Sequence, residues 1–199
     1  MNGVDIVQTA LRWAVLAASV AGVAGCGTAA KLRSFSSLYA EPTDGPVAQL
    51  RILANGMVRA VPGQSCVDWR SPGAGIMIVP RKGFTSHNGR DLGMPKTRYF
   101  SKPVGLLGAL LEAELRASGN KPITISFDSE GYQSGIYRHS CNSSFSFIPK
   151  QDSNYQILLV DTGNECLVEV RELRATAKGL HPVLIETQIA KLCQASDFL

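Results

Sequence analysis

The stretch LRILANGMVRAV, residues 50–61, is the strongest local signal in the chain. Asn55-Gly56 separates two β-prone runs. Both residues tolerate positive φ, so the sequence predicts a β-hairpin closed by a two-residue turn. In that register Leu50 and Ile52 share a face with Arg59 and Val61, and the other face carries Arg51, Leu53, Val58 and Ala60. Neither face is clean. A strand pair with one buried face alternates apolar and polar residues, so the mixed faces leave the register open. Pro62-Gly63 then ends the second run.

Further along, GIMIV (75–79) reads as a short apolar strand. Residues 80–103 form a long irregular loop rich in Pro, Gly, Lys and Arg. In GLLGALLEAELRASGNKPITISFD (105–128), Leu106, Leu107, Leu110 and Leu111 fall at helical spacing. Yet Leu111, Ala113, Leu115 and Ala117 alternate with Glu112, Glu114 and Arg116, and Ile123, Ile125 and Phe127 alternate with Thr124, Ser126 and Asp128. Ser118-Gly119-Asn120-Lys121 between them favours a second hairpin, with room for a short helix before it. SSFSFIP (143–149), YQILLVD (155–161) and CLVEVREL (166–173) predict an antiparallel meander. The tail HPVLIETQIAKLC (181–193) fits a helical stripe (Ile185, Ile189, Leu192, Cys193) and a strand (Val183, Ile185, Thr187, Ile189) equally. Seven to eight short strands in residues 46–199 predict an all-β, antiparallel β-sandwich. The alternative is α+β, with residues 104–117 helical.

The chain has 199 residues, 45% of them hydrophobic and 18% charged, which suits one globular domain. The net charge of +4 is mild and no basic run concentrates it. Nucleic acid is therefore not expected as a partner.

The N-terminus sets the expected address. Arg12 precedes an apolar run from Trp13 to Val23. A membrane-spanning helix needs roughly 20 apolar residues, so this shorter run reads as a secretory signal peptide over residues 1–25. Its end, Val23-Ala24-Gly25-Cys26, resembles the lipobox of bacterial lipoproteins at all four positions. The resemblance implies that the Cys26 sulfur takes a diacylglyceryl group, that the signal is cut before Cys26, and that the new amine takes a palmitate-type acyl chain. One chain anchors marginally and two or more anchor stably. Gly27 follows Cys26 where an aspartate would signal inner-membrane retention. By resemblance to Gram-negative lipoproteins, the protein is expected on the outer membrane, facing the periplasm. Residues 26–45, small and polar, read as a flexible tether that reaches at most roughly 70 Å.

Beyond Cys26 the cysteines are Cys66, Cys141, Cys166 and Cys193. An even count at an oxidising address predicts two disulfides. Three pairings are possible, and sequence does not choose among them outright. The preferred one joins Cys141 to Cys166 within the meander and leaves Cys66 with Cys193. Zinc is not expected, because no short Cys or His pair is present.

Catalytic constellations are sparse. His87 lies near Asp91 in a turn-like loop, His139 in RHSC, and His181 before a proline. No G-x-S-x-G elbow is present. Cys141 beside His139 and Ser140 is expected to be oxidised rather than nucleophilic. Glu112 and Glu114 would share one strand face and offer a glycosidase-like acid pair, but such acids are ordinarily solvated. GAGIM near Gly73 lacks a full phosphate-binding pattern. Trp69, in a loop after Cys66, is either a partner anchor or a cap on the sandwich edge.

Gly93-Met94-Pro95, ELRASGNKP, and a Cys before FSFIP with a Tyr opening the next strand are similar to a loose group of uncharacterised Gram-negative envelope lipoproteins. The likeness spans roughly residues 40–173. At fold level the chain also resembles transthyretin-like sandwich lipoproteins that serve secretion machines. The expectation is a lipid-anchored, non-enzymatic domain that binds an envelope protein or supports an assembly, with no cofactor and no metal. Its contact face would be a sheet edge or the 80–103 loop. A ligand- or lipid-binding lipoprotein and a hydrolase of envelope polymers are the alternatives.

Overall fold

The computed structural model describes residues 29–96, 109–177 and 179–194. The signal segment and Cys26 lie outside the described residues, as do residues 97–108 of the long loop and of the candidate helix.

The fold is a β-sandwich. Its strands are β1 (Val47–Ala54), β2 (Met57–Pro62), β3 (Gly75–Ile78), β4 (Leu111–Ser118), β5 (Ile123–Asp128), β6 (Tyr132–Ser134), β7 (Tyr137–His139), β8 (Asn142–Phe147), β9 (Asn154–Asp161), β10 (Cys166–Thr176), β11 (Gly179–Leu184) and β12 (Gln188–Ile189). Sheet I has the order β11-β10-β9-β1-β4, sheet II the order β12-β8-β5-β2-β3, and β6 and β7 form a separate ribbon. The described strands outnumber the expected seven or eight through short additions such as β6, β7 and β12. Residues 111–118 are strand, so the α+β alternative does not hold there. The tail is strand as well, in β11 and β12. Among the described residues a short helix over residues 29–34 is the only α-helical segment.

Neither expected hairpin forms. β1 pairs with β4 and β9 in sheet I, whereas β2 pairs with β5 and β3 in sheet II. The chain therefore changes sheets at Asn55-Gly56. Neither residue takes positive φ. Gly56 is needed for another reason: a Cβ there would sit 2.6 Å from the Asp128 carbonyl oxygen and 2.7 Å from the Phe127 ring. The Asn55 side chain binds the Asp161 backbone in both directions, donating through Nδ2 to the carbonyl at 2.7 Å and accepting the N–H at 2.9 Å.

Ser118-Gly119-Asn120-Lys121 is likewise a crossing, from β4 in sheet I to β5 in sheet II. Asn120 takes the left-handed conformation there, with φ of 60°. A further crossing separates β8 from β9, so the expected meander loses its first strand and keeps β9–β10, extended by β11. β1 and β9 lie parallel, within otherwise antiparallel sheets.

The crossings account for the mixed faces of residues 50–61. Each strand buries its own inward set: Leu50, Ile52 and Ala54 from β1, Val58 and Ala60 from β2. They meet Ala113, Leu115, Ile125, Phe127, Phe145, Tyr155 and Ile157 in one core. Burying a side chain of this size contributes about 1.5–3 kcal/mol.

Residues 29–45 are not a free tether. Leu38 bridges to Ile76 beside β3. Tyr39 is 1% exposed and donates through its hydroxyl to the Arg116 carbonyl at 3.1 Å. Burial, reinforced by the charge of Glu41, pushes that hydroxyl well above its ordinary range.

In a type I′ hairpin turn, Asn55→Gly would be harmless. At a sheet crossing it removes both partners of the Asp161 backbone, so the variant should lose about 1–3 kcal/mol in urea denaturation.

Candidate functional site

Both disulfides form in the preferred pairing. Cys66 and Cys193 have Cα atoms 5.1 Å apart, and Cys141 and Cys166 are 5.6 Å apart. Cys66–Cys193 spans 127 residues and is flanked by backbone bonds from Val67 N–H to Lys191 and from Cys193 N–H to Val67. It pins the C-terminal segment across sheet II, and such a link contributes about 2–4 kcal/mol.

That pinned segment helps to shape a groove of about 630 Å³ over the outer face of sheet II. Its floor is a row of in-register residues, Arg59 on β2, Ser126 on β5 and Ser144 on β8. Arg59 is 4% exposed. Its guanidinium lies between two rings, 3.8 Å from the centroid of Phe35 and 4.1 Å from that of Trp69. Desolvated contacts of this kind are each worth up to about 2 kcal/mol. Nη1 donates to Ser34 Oγ at 2.6 Å and Nη2 to Asp128 at 2.9 Å. Nε is buried without a hydrogen-bond partner. Burial pushes the guanidinium below its ordinary value, and Asp128 opposes the shift. Ser126 and Ser144 share a hydrogen bond of 2.8 Å, and Asn142 donates to Asp128. Lys31, Lys191, Leu192 and Ile189 complete the walls, with Ile189 87% exposed.

Trp69 therefore covers Arg59 over the sheet face rather than capping an edge, and it remains half-buried at the groove wall. The sequence reading gave Arg59, Ser34, Phe35 and Asp128 no place in a site. Arg59 is separated by 24 residues from the ring at Phe35, and nothing local announces the stack.

Sheet I has a second, smaller cleft of about 450 Å³ on its outer face. Here Glu112 and Glu114 do share a face, but they do not make an independent acid pair. Glu114 is 3% exposed and binds Arg51, which also lies 3.1 Å from Glu112. Arg51 donates onward to the carbonyls of Met94 and Pro95. Glu114 accepts the N–H groups of Leu92 and Met94. Burial alone would raise the Glu114 carboxyl. The Met94 N–H, the Arg51 guanidinium and the Leu92 N–H outweigh it and hold the carboxyl below its ordinary value. The pair fastens the described part of the long loop to sheet I. That loop also bonds the β4 edge, through Gly89 N–H to Glu112 and Glu114 N–H to Arg90.

The histidines are separated. His87 bonds the Tyr39 carbonyl at 3.0 Å through Nε2. His181 lies on β11, opposite Arg174. His139 contacts Asp161 at 3.2 Å. Ser129 also donates to Asp161, at 2.6 Å. The carboxylate thus sits between the hydroxyl and the imidazole. In acyl-transfer triads the imidazole is the middle member, so this order does not let His139 take the Ser129 proton. His139, Cys141 and Cys166 place ligand atoms within 4.8 Å of one another. Both sulfurs are in the disulfide, however, and a metal needs thiolates.

Taken together, these features define a β-sandwich with a polar-floored groove on one outer face. No protein-family model matches the chain, and comparison with curated proteins and with solved structures finds no match.

Glu114→Gln should destabilise the domain by about 1–3 kcal/mol at neutral pH, because Arg51 loses its buried counter-charge and keeps only the half-exposed Glu112. Since Glu114 titrates below its ordinary 4.5 in the fold, its contribution is present above that pH and fades as pH falls further. Urea denaturation from pH 7 to pH 3 should show variant and wild type converging on the acid side.

Proposed function

We propose that the chain is a lipid-anchored envelope protein, held to the outer membrane through Cys26 and facing the periplasm. Its β-sandwich binds a protein partner, and the groove that does so carries out no reaction. The observation that carries the binding role is the groove over sheet II: a stacked, buried Arg59 and two serines form its floor, and Ile189 projects from its wall. Ile189 adjoins Ala190, Leu192 and half-buried Trp69 along the groove, and apolar lining over a polar floor is the mix found in protein contacts. The anchor rests on the Val23-Ala24-Gly25-Cys26 motif. Two disulfides within the domain suit an oxidising compartment.

A small-molecule or lipid role is the second reading. The space between the sheets is filled by side chains at or near zero exposure, so such a ligand would occupy the same groove. A hydrolase role has less behind it, because the acid pair is committed to Arg51.

Two measurements test the proposal. The intact mass of membrane-extracted protein should equal residues 26–199 plus diacylglyceryl and acyl groups; an unmodified mass would refute the anchor. Cross-linking in intact cells should capture one or two dominant envelope proteins. Ile189→Asp should abolish that capture while changing stability by less than about 0.5 kcal/mol, as expected of an exposed site. Capture of no specific protein would move the reading to a small ligand.

A further inference from the structure

We propose that Cys141–Cys166 is a thiol-exchange site, a disulfide that opens and closes against a partner dithiol in the folded protein, whereas Cys66–Cys193 is a permanent staple. The inference stands on geometry at one end of the sandwich and does not depend on the groove or the anchor.

The two sulfurs of this bond have different surroundings. Cys166 opens β10 and is exposed, whereas Cys141, just before β8, is 2% exposed. An incoming thiolate therefore approaches from the Cys166 side. Exchange also depends on how well the departing sulfur is stabilised. Here the departing sulfur is that of Cys141, and His139 Nε2 lies 3.6 Å from it.

The same nitrogen also faces Asp161 at 3.2 Å, whose side chain is 2% exposed, so its N–H lies between the carboxylate and the sulfur. The Asp161 carboxylate accepts the Gly163 N–H at 2.7 Å and the Ser129 hydroxyl at 2.6 Å. Ser129 Oγ in turn accepts the Cys141 N–H at 2.8 Å. The Glu165 carbonyl lies 3.9 Å from Cys141 Sγ, placed to accept from the thiol once it is protonated. Among the described residues the staple has no comparable histidine contact; its neighbours are the backbone bonds of Val67, Lys191 and Cys193.

The steps balance as follows. A partner thiolate attacks Cys166 Sγ, and a mixed disulfide forms. The Cys141–Cys166 bond breaks, and its electron pair leaves on Cys141 Sγ, which accepts a hydrogen bond from His139 Nε2–H. The partner's second thiolate then attacks its own sulfur in the mixed disulfide and releases Cys166. The two new thiolates take up, through solvent, the two protons that the partner thiols gave up. The partner is oxidised by two electrons and this protein is reduced by two. The reverse steps close the bond again.

The test uses the full chain and dithiothreitol as the probe dithiol. Folded protein is sampled over time, alkylated, and mapped by peptide mass. Cys141 and Cys166 should become alkylated at least about tenfold faster than Cys66 and Cys193, while circular dichroism stays native. His139→Gln should slow that opening several-fold and leave the Cys66–Cys193 rate unchanged, which serves as the control for folding. Equal rates for the two bonds, or opening only after unfolding, would overturn the proposal. So would an unchanged ratio in the folded variant. If the variant does not fold, the wild-type ratio alone decides.

Discussion

The rest of the structure depends on the two hydrogen bonds between the Asn55 carboxamide and the backbone of Asp161. Asn55 sits where the chain leaves sheet I for sheet II, and Asp161 ends β9 in sheet I. The clamp thus ties the first sheet change to a strand more than a hundred residues away in sequence. It also fixes the point from which the Asp161 carboxylate organises Ser129, Gly163 and His139 around the Cys141–Cys166 bond. A turn that only reversed the chain would do none of this. The carboxamide suits the task because it offers a donor and an acceptor together, matching a backbone N–H and C=O.

Most longer strands and the alternating faces of residues 111–127 were legible in the sequence, whereas strand partnership was legible only for β9 with β10. The reason is physical: period-two alternation reports which face of a strand is buried, not which strand lies beside it. Leu111–Ala117 and Ile123–Phe127 alternate cleanly, and that pattern fits a hairpin and a sheet crossing equally. Residues 50–61 held more information. Their mixed faces in a hairpin register marked two strands with separate sheets, since Leu50 and Ile52 point inward together with Val58 and Ala60. The preferred cysteine pairing forms, but not for the reason that suggested it: Cys141 precedes β8 in sheet II and Cys166 opens β10 in sheet I, so the bond links the two sheets instead of closing a meander. Glu114 passed for a solvated acid because its cover, Leu92 and Met94, comes from a remote loop. Arg59 between Phe35 and Trp69 was hidden in the same way.

The two buried arginines place different covers by the same means. Arg51 holds the long loop over sheet I, and Arg59 holds the 29–34 helix segment and Trp69 over sheet II. Each pairs with an acid on a neighbouring strand of its own sheet, Glu114 or Asp128. Replacing a buried ion pair by apolar residues is often neutral in stability, yet removing one partner is costly. The arginines therefore serve position more than stability: each fixes one set of covering residues above a sheet that would otherwise face water.

The helical segment described from residue 29 onward changes the geometry of anchoring. From Cys26 to Ala29 the chain can extend only about 10 Å, at roughly 3.5 Å per residue. With Cys26 acylated as proposed, the sandwich would ride at the headgroup surface rather than swing through the periplasm. Lys31, on the groove wall, would then lie near the plane of the bilayer. A partner would meet the groove by lateral diffusion along the same leaflet, a search in two dimensions, and a partner embedded in that membrane would gain the most from it.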